Sequence, residues 1–232
     1  MARRSLPLLL ACLALPGFAG APAGTGQGSK PPISLNGSIP AGGATQSSAY
    51  AYGGPASAYG EANEAVAQDP ETRGRVEARG YAFHTNRENH AWWAVNLGAG
   101  RMLDHAEIEN RSDCCQERAA TLEVYVSGAP FTSDPATWNR ATRVFPVPGG
   151  SPAGAFSQQL KVSLVDAKLV SAFEKASTSL LEATIQGDIP AIAKATQELD
   201  SLKNQAAKQY VGIRLAGTDN LHLKRVEIFG WK

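Results

Sequence analysis

Two adjacent cysteines, Cys114 and Cys115, are the residues whose position most suggests chemistry. In an oxidising compartment two neighbouring thiols can bond to each other. Neighbouring Cα atoms lie about 3.8 Å apart, below the roughly 4.4–6.8 Å usual for disulfides, so such a bridge is strained. Because the two residues are adjacent, the bridge closes almost no loop and adds little stability. Arg111 and Arg118 flank the pair. We therefore predict a Cys114–Cys115 disulfide that belongs to a binding surface.

The arginines and a nearby acid supply groups that suit a ligand rich in hydroxyls. We expect Arg111 and Asp113 to lie on one face of a strand, because they are two residues apart, and a turn to bring Arg118 back beside them. Asp113 can hold a guanidinium fork and offset the repulsion between two arginines. A neutral His84 can donate from one ring nitrogen and accept at the other. A surface ion-pair cluster and an ordinary loop histidine remain alternatives at this point.

A catalytic role for these residues is not favoured. Asp113 and Glu117 are close enough to suggest a carboxylate pair of the glycosidase type. Each has an arginine neighbour that favours the ionised form, which does not suit a general acid. The sequence contains no evident Ser/His/Asp order, metal-ligand cluster or phosphate-binding glycine loop. We predict binding without catalysis.

The start of the 232-residue chain has the features of a secretory signal. Two arginines precede a short apolar run followed by small residues, so we expect residues 1–23 to be a signal peptide. A lipoprotein processed at Cys12 is the alternative. We therefore expect a secreted protein, extracellular or periplasmic. The net charge of +1 gives no basic field for nucleic acid or anionic membranes, and no later stretch is suited to spanning a bilayer.

The rest of the chain divides by composition. Residues 24–32 predict a flexible linker. Residues 33–163 and 209–232 contain short runs of alternating apolar and polar residues, which predict half-buried strands. Residues 164–208 have helical spacing, and Gly187-Asp188-Ile189-Pro190 is typical of a helix end, an N-cap and an early proline. We predict a helical hairpin inserted before the closing strands of a β-sandwich.

Five segments together resemble the F-type lectins, fucose-binding members of the discoidin-like (coagulation factor type C) superfamily. In chain order they are Ala44–Ser48, His84, Trp92–Gly98, Asn110–Arg118 and Leu221–Gly230. The family motif is a His, about two dozen residues, Arg-x-Asp, four residues and Arg or Lys. Here His84 is followed by 26 residues (85–110), Arg111-Ser112-Asp113, four residues (114–117) and Arg118. The resemblance covers residues 33–162 and 209–231 and leaves the helical hairpin outside it.

The resemblance implies an all-β fold, a discoidin-like jelly-roll β-sandwich, here with an inserted α-helical hairpin. It also implies a lectin for terminal L-fucose or a related sugar, with fucosylated glycans as partners. Its predicted carbohydrate-binding residues are His84, Arg111, Asp113, Cys114, Cys115, Arg118, Tyr50 and Tyr52. The cysteine pair would pack on the sugar ring, and Tyr50, with Tyr52 as second candidate, would flank the deoxy methyl group. A discoidin-like adhesion or assembly module for a protein or another glycan is the alternative.

A structural calcium ion is usual in this family but is not expected in this chain. By alignment of the motifs, Ala67 and Arg225 stand where the family has acids. A hard dication needs several oxygen ligands, so we predict no calcium and no other cofactor. Arg225 is expected to occupy the vacated space and to pair with Asp69 or a loop carbonyl.

The predicted hairpin helices are too short to be stable alone. Their apolar stripes must therefore be buried. The stripes are Leu169, Phe173, Ala176 and Leu180 on the first helix and Ile192, Leu199, Leu202 and Ala206 on the second. Packing on the chain's own sandwich and packing between protomers of a homo-oligomer through residues 164–208 are both open.

Overall fold

The computed structural model describes residues 31–50, 60–147, 149–154, 156 and 159–231. The predicted signal peptide, most of the linker and Tyr52 lie outside these ranges. The strands in the described part are β1 (Ile33–Ser34), β2 (Ala44–Gln46), β3 (Phe83–His84), β4 (Glu88–Asn89), β5 (Trp92–Asn110), β6 (Leu122–Ser127), β7 (Thr142–Phe145), β8 (Gln159–Ser163), β9 (Ala207–Leu215), β10 (Thr218–Asp219) and β11 (His222–Trp231). The helices there are α1 (Pro70–Arg79), α2 (Pro135–Asn139), α3 (Ala167–Gln186) and α4 (Ile189–Ala206).

The long strand β5 connects the two layers of an antiparallel β-sandwich. Its first part pairs with β2 and β9, and its last part pairs with β11 and β8. The β9 pairing shifts register between Asn96 and Arg101. β6 and β7 extend the β9 side, β1 and β3 add to β11, and β4 and β10 form a separate ribbon. The fold class predicted from the sequence, a β-sandwich with a helical hairpin, is confirmed.

Alternating strand residues build the core between the layers. Ala106 and Ile108 of β5 are fully buried, while Glu107 and Glu109, which alternate with them, are partly exposed, as the period of two predicts. β6 differs, because all its residues are buried. Its outward-facing Tyr125 packs in a second cluster with Trp92, Ala94, Phe131 and Trp138. Both faces of β6 are therefore covered.

A helix over residues 70–79 corrects the expectation that the chain before residue 163 contains only short β segments. Asp69 caps α1 by accepting a hydrogen bond from the Thr72 N–H at 2.8 Å, and Pro70 occupies the first turn. Gly80 ends the helix in the left-handed conformation at φ 86°. The chain then enters β3, so this helix fixes the approach to His84.

The helical hairpin has the predicted form. Gly187 ends α3 in the left-handed conformation, and Asp188 caps α4 by accepting from the Ala191 N–H at 3.0 Å. The core of the hairpin is a separate apolar cluster of Phe173, Ala176, Leu199 and Leu202, with Leu169, Leu180 and Ala206 beside it. The two helices therefore bury their stripes mainly against each other, and α4 also contacts β5 and β9. Within the described residues, no helix combines the length and apolar character needed to cross a membrane.

Candidate functional site

The candidate site lies where β3 and β11 meet the loop after β5. β3 pairs with β11 so that His84 stands opposite His222, and their ring centroids are 5.1 Å apart. β5 ends at Asn110, so Arg111 and Asp113 lie in the following loop rather than on a strand as predicted. A 3₁₀ helix, Gln116–Thr121, carries Arg118, and this turn brings it back toward β10.

Arg111 is a buried cation with several partners. Its side chain is 6% exposed. Its Nε donates to Asp113 Oδ1 at 2.7 Å and its Nη2 to Asp113 Oδ2 at 2.5 Å. The guanidinium also lies 4.7 Å from the centroid of the Tyr81 ring. The hydrogen bonds from Arg111 hold the pKa of Asp113 below its usual range, so the pair is ionised and its geometry is fixed.

His222 connects Arg111 to the cysteine loop, a role that the sequence did not suggest. Arg111 Nη1 donates to His222 Nδ1 at 3.3 Å, and His222 Nε2 donates to the Cys115 carbonyl at 3.2 Å. This arrangement requires the neutral imidazole. Burial, followed by the charge of Arg111, lowers the pKa of His222 to about 3. The position of His222 between Leu221 and Leu223 predicts a structural residue, and the structure makes it a positioning residue of the site.

His84 is also held neutral, and its tautomer is defined. Its Nδ1 donates to the Thr85 carbonyl at 2.7 Å, which leaves Nε2 as an acceptor. Burial and then the charges of Arg111 and Arg118 hold the pKa of His84 below its ordinary value, against the effect of the Thr85 hydrogen bond. His222 contacts both His84 and Arg111, and Asn220 joins Arg118 to Thr85, so the structure brings the three residues of the motif together.

Arg118 is held much more loosely than Arg111. Its Nη1 donates to Asn220 Oδ1 at 3.4 Å, and its Nε lies 3.6 Å from Asp219 Oδ1. Its side chain is 31% exposed. Asn220 itself is buried and donates from Nδ2 to the Thr85 carbonyl at 2.9 Å. Arg118 therefore keeps donor capacity for a ligand, at a position set by a buried amide.

Both cysteines are free thiols in the structure, so the predicted Cys114–Cys115 disulfide is not formed in it. Cys114 is exposed and Cys115 is partly exposed. The hydrogen bond between the two thiols, and then burial, raises the pKa of Cys114. Cys115 adopts the left-handed conformation at φ 58°.

Tyrosines line the site on the His84 side. The Tyr50 N–H donates to the His84 carbonyl at 2.9 Å, and its ring centroid is 4.6 Å from that of His84. Tyr81, which the sequence reading did not single out, contacts the His84 ring edge-on at 5.9 Å. Residue 80, which precedes Tyr81, must be glycine. Its φ is positive, and a Cβ there would lie 3.0 Å from Asp113 Cβ.

The segment before His84 is held by an arginine rather than by the pairing predicted for Arg225. Arg79 donates to the carbonyls of Tyr81 at 2.8 Å and Ala82 at 2.9 Å, and it forms a short ion pair with Glu64. Arg225 lies 3.8 Å from Glu227 instead, while Asp69 caps α1. The expected contact between Arg225 and Asp69 is therefore wrong, and Arg225 Nε has no hydrogen-bond partner among the described residues that would supply the alternative loop carbonyl.

The residues around the expected metal position make other contacts. Ala67 ends a short 3₁₀ helix, Ala62–Val66, and its N–H donates to the Glu64 carbonyl. Glu64, the nearest acid of that helix, is engaged by Arg79. In the part of the chain that the structure describes, no group of three or more His, Cys, Asp or Glu side chains is arranged to hold a metal ion.

The fold of the described residues is an antiparallel β-sandwich. Residues 74–159 match the family model described as F5/F8 type C, NedA-like, galactose-binding domain, which is less than half of the chain. The match spans β3 to β7, and therefore includes His84, Arg111 and Arg118. It confirms the resemblance to the discoidin-like superfamily over that segment. No curated protein matches the sequence.

Three similar solved structures are distant in sequence. A fucolectin from striped bass (Morone saxatilis) serum is 19% identical, with 87% of this chain and 50% of that chain covered and a TM-score of 0.48. A fucose binding module of Streptococcus pneumoniae is 17% identical, with 86% and 96% covered and a TM-score of 0.49. A family 32 carbohydrate-binding module from C. perfringens NanJ, in complex with galactose, is 10% identical, with 86% and 98% covered and a TM-score of 0.47. This chain spans half the length of the fucolectin.

Proposed function

We propose that this chain is a secreted carbohydrate-binding protein that recognises terminal L-fucose or a related sugar without catalysis. The observation that supports it most is that His84 of β3 converges with Arg111 and Arg118 of the loop and turn after β5, beside the buried His222. Each residue comes from a position that matches the fucose-binding spacing. The matched family, described as a galactose-binding domain, agrees with the broader class of ligand.

The chemistry of the site suits a neutral sugar with vicinal hydroxyls. Neutral His84 offers an acceptor at Nε2, while Arg118 offers donors that its weak contacts leave available. Arg111, fixed by Asp113 and His222, presents its guanidinium in one orientation. Such a small number of fixed polar groups beside apolar surface is how small-ligand sites obtain specificity. The Tyr50 ring supplies apolar surface next to His84 for the deoxy methyl group.

A glycan array with the purified protein and its Arg118→Ala variant tests this function. We expect fucosylated glycans to be bound, with at least tenfold weaker binding in Arg118→Ala, about 1.4 kcal/mol or more. Arg140→Ala is the matched control, because Arg140 is an exposed arginine beyond α2. An array without fucosylated ligands, or an Arg118→Ala variant of unchanged affinity, contradicts the proposal. Preference for galactosides over fucosides would keep sugar binding and reject fucose.

We also propose that export oxidises the two thiols to the Cys114–Cys115 disulfide. Cys114 is exposed, and its thiol already contacts that of Cys115, so oxidants of the exporting compartment can reach both. Alkylation of the secreted protein without reductant, followed by intact-mass measurement, should add no label at these cysteines. Two labels would reject the bridge. Mild reduction should weaken sugar binding more than it lowers the melting temperature.

A second candidate function, an adhesion or assembly module, is favoured by one feature of the hairpin. Leu181, Ile185 and Ile189 at its distal end are three of the five large apolar side chains that are most exposed in the described structure. We propose that a second copy of the chain covers them, which would cluster sugar sites and raise avidity. Sedimentation of the wild type and of a variant with glutamine at all three positions tests this proposal. A monomeric wild-type protein contradicts it.

A further inference from the structure

A second cleft, of about 210 Å³, lies apart from the His84 site. It opens between the β4 end of the ribbon and the loop before α2, on the outer face of β5 and β9. Its main lining residues are Glu88, His90, Trp92, Ser133, Trp138 and Arg214. None of them belongs to the predicted sugar site. The volume is below the roughly 300–1,000 Å³ of drug-sized ligand pockets, so it suits one small ring.

The floor of this cleft is aromatic and rigid. Trp92 and Trp138 pack with ring centroids 6.0 Å apart, and Tyr125 contacts Trp138 edge-on at 5.3 Å. Trp138 Nε1 donates to the Thr132 carbonyl at 2.9 Å, which fixes the indole against the loop. Both indoles are more than nine-tenths buried, so each offers a strip of its ring to a ligand. A preorganised apolar floor reduces the entropy lost on binding.

The guanidinium beside this floor has its charge compensated. Arg214 Nε donates to Glu123 Oε2 at 2.9 Å and its Nη2 to the Tyr125 hydroxyl at 2.7 Å. Burial would raise the pKa of Glu123, but hydrogen bonds from Tyr125, Arg214 and Arg143 outweigh it and hold that pKa below its ordinary value. Glu123 also accepts from Arg143 Nη1 at 2.9 Å, so one carboxylate serves two guanidinium groups. With the Glu88 carboxylate on the opposite wall, the two cations and two anions balance, and Arg214 provides little attraction for an anion.

The wall opposite supplies acceptors. Glu88 Oε1 accepts from the hydroxyls of Ser47 at 2.5 Å and Ser48 at 2.6 Å, so the carboxylate is held in place. No bond joins Glu88 Oε2 to any residue that the structure describes. A fixed carboxylate oxygen beside aromatic surface favours a ligand with hydroxyl donors and repels a ligand with a negative charge.

The backbone at the edge of the cleft has an unusual conformation. His90 has φ 55°, left-handed for a residue with a side chain. It is held there by its N–H, which donates to the Gly217 carbonyl at 2.9 Å, and by Nδ1, which donates to the Leu215 carbonyl at 3.1 Å. Such a conformation costs on the order of 1–2 kcal/mol, and strained residues tend to occur at binding sites.

We infer that this cleft is a second carbohydrate-binding site, which takes one neutral pyranose residue. The apolar face of the ring lies against Trp92 and Trp138, and its hydroxyls donate to Glu88. The Glu88 carboxylate beside the ring disfavours acidic sugars as ligands. The inference does not depend on fucose binding at His84, because the two sets of residues are separate.

Nuclear magnetic resonance of the full-length ¹⁵N-labelled Arg118→Ala variant tests this site with the His84 site impaired. The probes are the methyl glycosides of galactose, glucose, mannose and N-acetylglucosamine, with glucuronic acid as the anionic probe. We expect at least one neutral glycoside to shift the indole N–H resonances of Trp92 and Trp138 saturably, as it does in the wild type. Glu88→Gln should weaken that binding at least tenfold. Glucuronic acid should bind more weakly than the neutral probes.

A blocking variant keeps the test independent of folding. Ser133 is exposed at the rim, so Ser133→Trp should fill the cleft and abolish the shifts. Asn139→Trp, exposed on α2 outside the lining, should leave them unchanged. The inference is overturned if no neutral glycoside gives a saturable shift. It is also overturned if Arg118→Ala removes the shifts, if Ser133→Trp leaves them intact or if glucuronic acid binds best.

Discussion

The His84 site and the helical hairpin are each stabilised by a different kind of contact. At the site, buried polar side chains join distant segments, as Arg111 does with Asp113 and with His222 of the last strand. In the hairpin, polar contacts are local, since Asp188 caps the helix that follows it, and the two helices share one apolar cluster. A change at one residue of the site should therefore disturb several others, whereas the hairpin should be separable from the sandwich.

Arg111→Ala should have the largest effect. It leaves Asp113 and His222 without their shared partner, and breaking a fully buried ion pair costs about 3–5 kcal/mol. Because Asp113 is 39% exposed, we expect a smaller loss, about 2–3 kcal/mol in the free energy of unfolding, with fucose binding abolished. Urea denaturation and calorimetric titration measure the two effects. Arg111→Lys keeps the charge without the fork, and equal behaviour of wild type and Arg111→Lys would refute the role of the fixed guanidinium.

Arg79→Gln should have the next largest effect. It removes the ion pair with Glu64 and weakens two hydrogen bonds to carbonyls before His84, at a cost of about 2 kcal/mol for bonds from a charged donor. Fucose binding should weaken with it.

Chelator should change neither the melting temperature nor the affinity of the wild type, since we predict no calcium. A calcium-dependent rise in melting temperature would contradict that prediction.

His222→Gln should change the response of stability to pH. The unfolded chain binds a proton at this histidine below about pH 6.5, while the folded protein resists it until about 3. Between these values the wild type should lose up to about 1.4 kcal/mol per pH unit as pH falls. That contribution should be missing from the variant. Urea denaturation at pH 7.5, 6 and 4.5 measures it, and parallel curves for the two proteins would show that His222 titrates normally in the fold.

Deleting residues 166–206 and joining the ends with a short Gly/Ser loop should have the smallest effect on the site. The hairpin's apolar cluster is separate from the core of the sandwich. We expect a folded protein whose fucose affinity changes less than twofold and which is monomeric by sedimentation. Loss of fucose binding in a folded deletion variant would show that the two regions are coupled.

The site could be predicted in part because its motif is local and its spacing is specific. Arg111, Asp113 and Arg118 lie within one short loop and turn, so the sequence suggests their chemistry directly. The role of His222 depends on the pairing of β3 with β11, which joins residues far apart in the chain. No local pattern reports such pairing, since a histidine between two leucines is typical of a core strand.

The prediction of the fold was correct where periodicity was strong, and it was incomplete where capping signals were overlooked. The hairpin was recognised from its helical spacing and from Gly187 and Asp188. Helix α1 has equivalent signals in Asp69, Pro70 and Gly80, but its only buried residue is Val76. Without an apolar stripe, its periodicity gave no indication of a helix. The Cys114–Cys115 bond depends on redox conditions that the sequence does not encode.

The place where the hairpin is inserted has a consequence for how this domain can be combined with others. The chain leaves the sandwich after Leu164, whose N–H donates to the Asp104 carbonyl at 2.9 Å, and returns at Ala207, which pairs with Met102. Entry and exit therefore meet β5 two residues apart. Any folded unit whose own termini lie close together can be accommodated between these points. Another folded unit can therefore replace the hairpin at this insertion point while the candidate sugar-binding site of the sandwich stays the same.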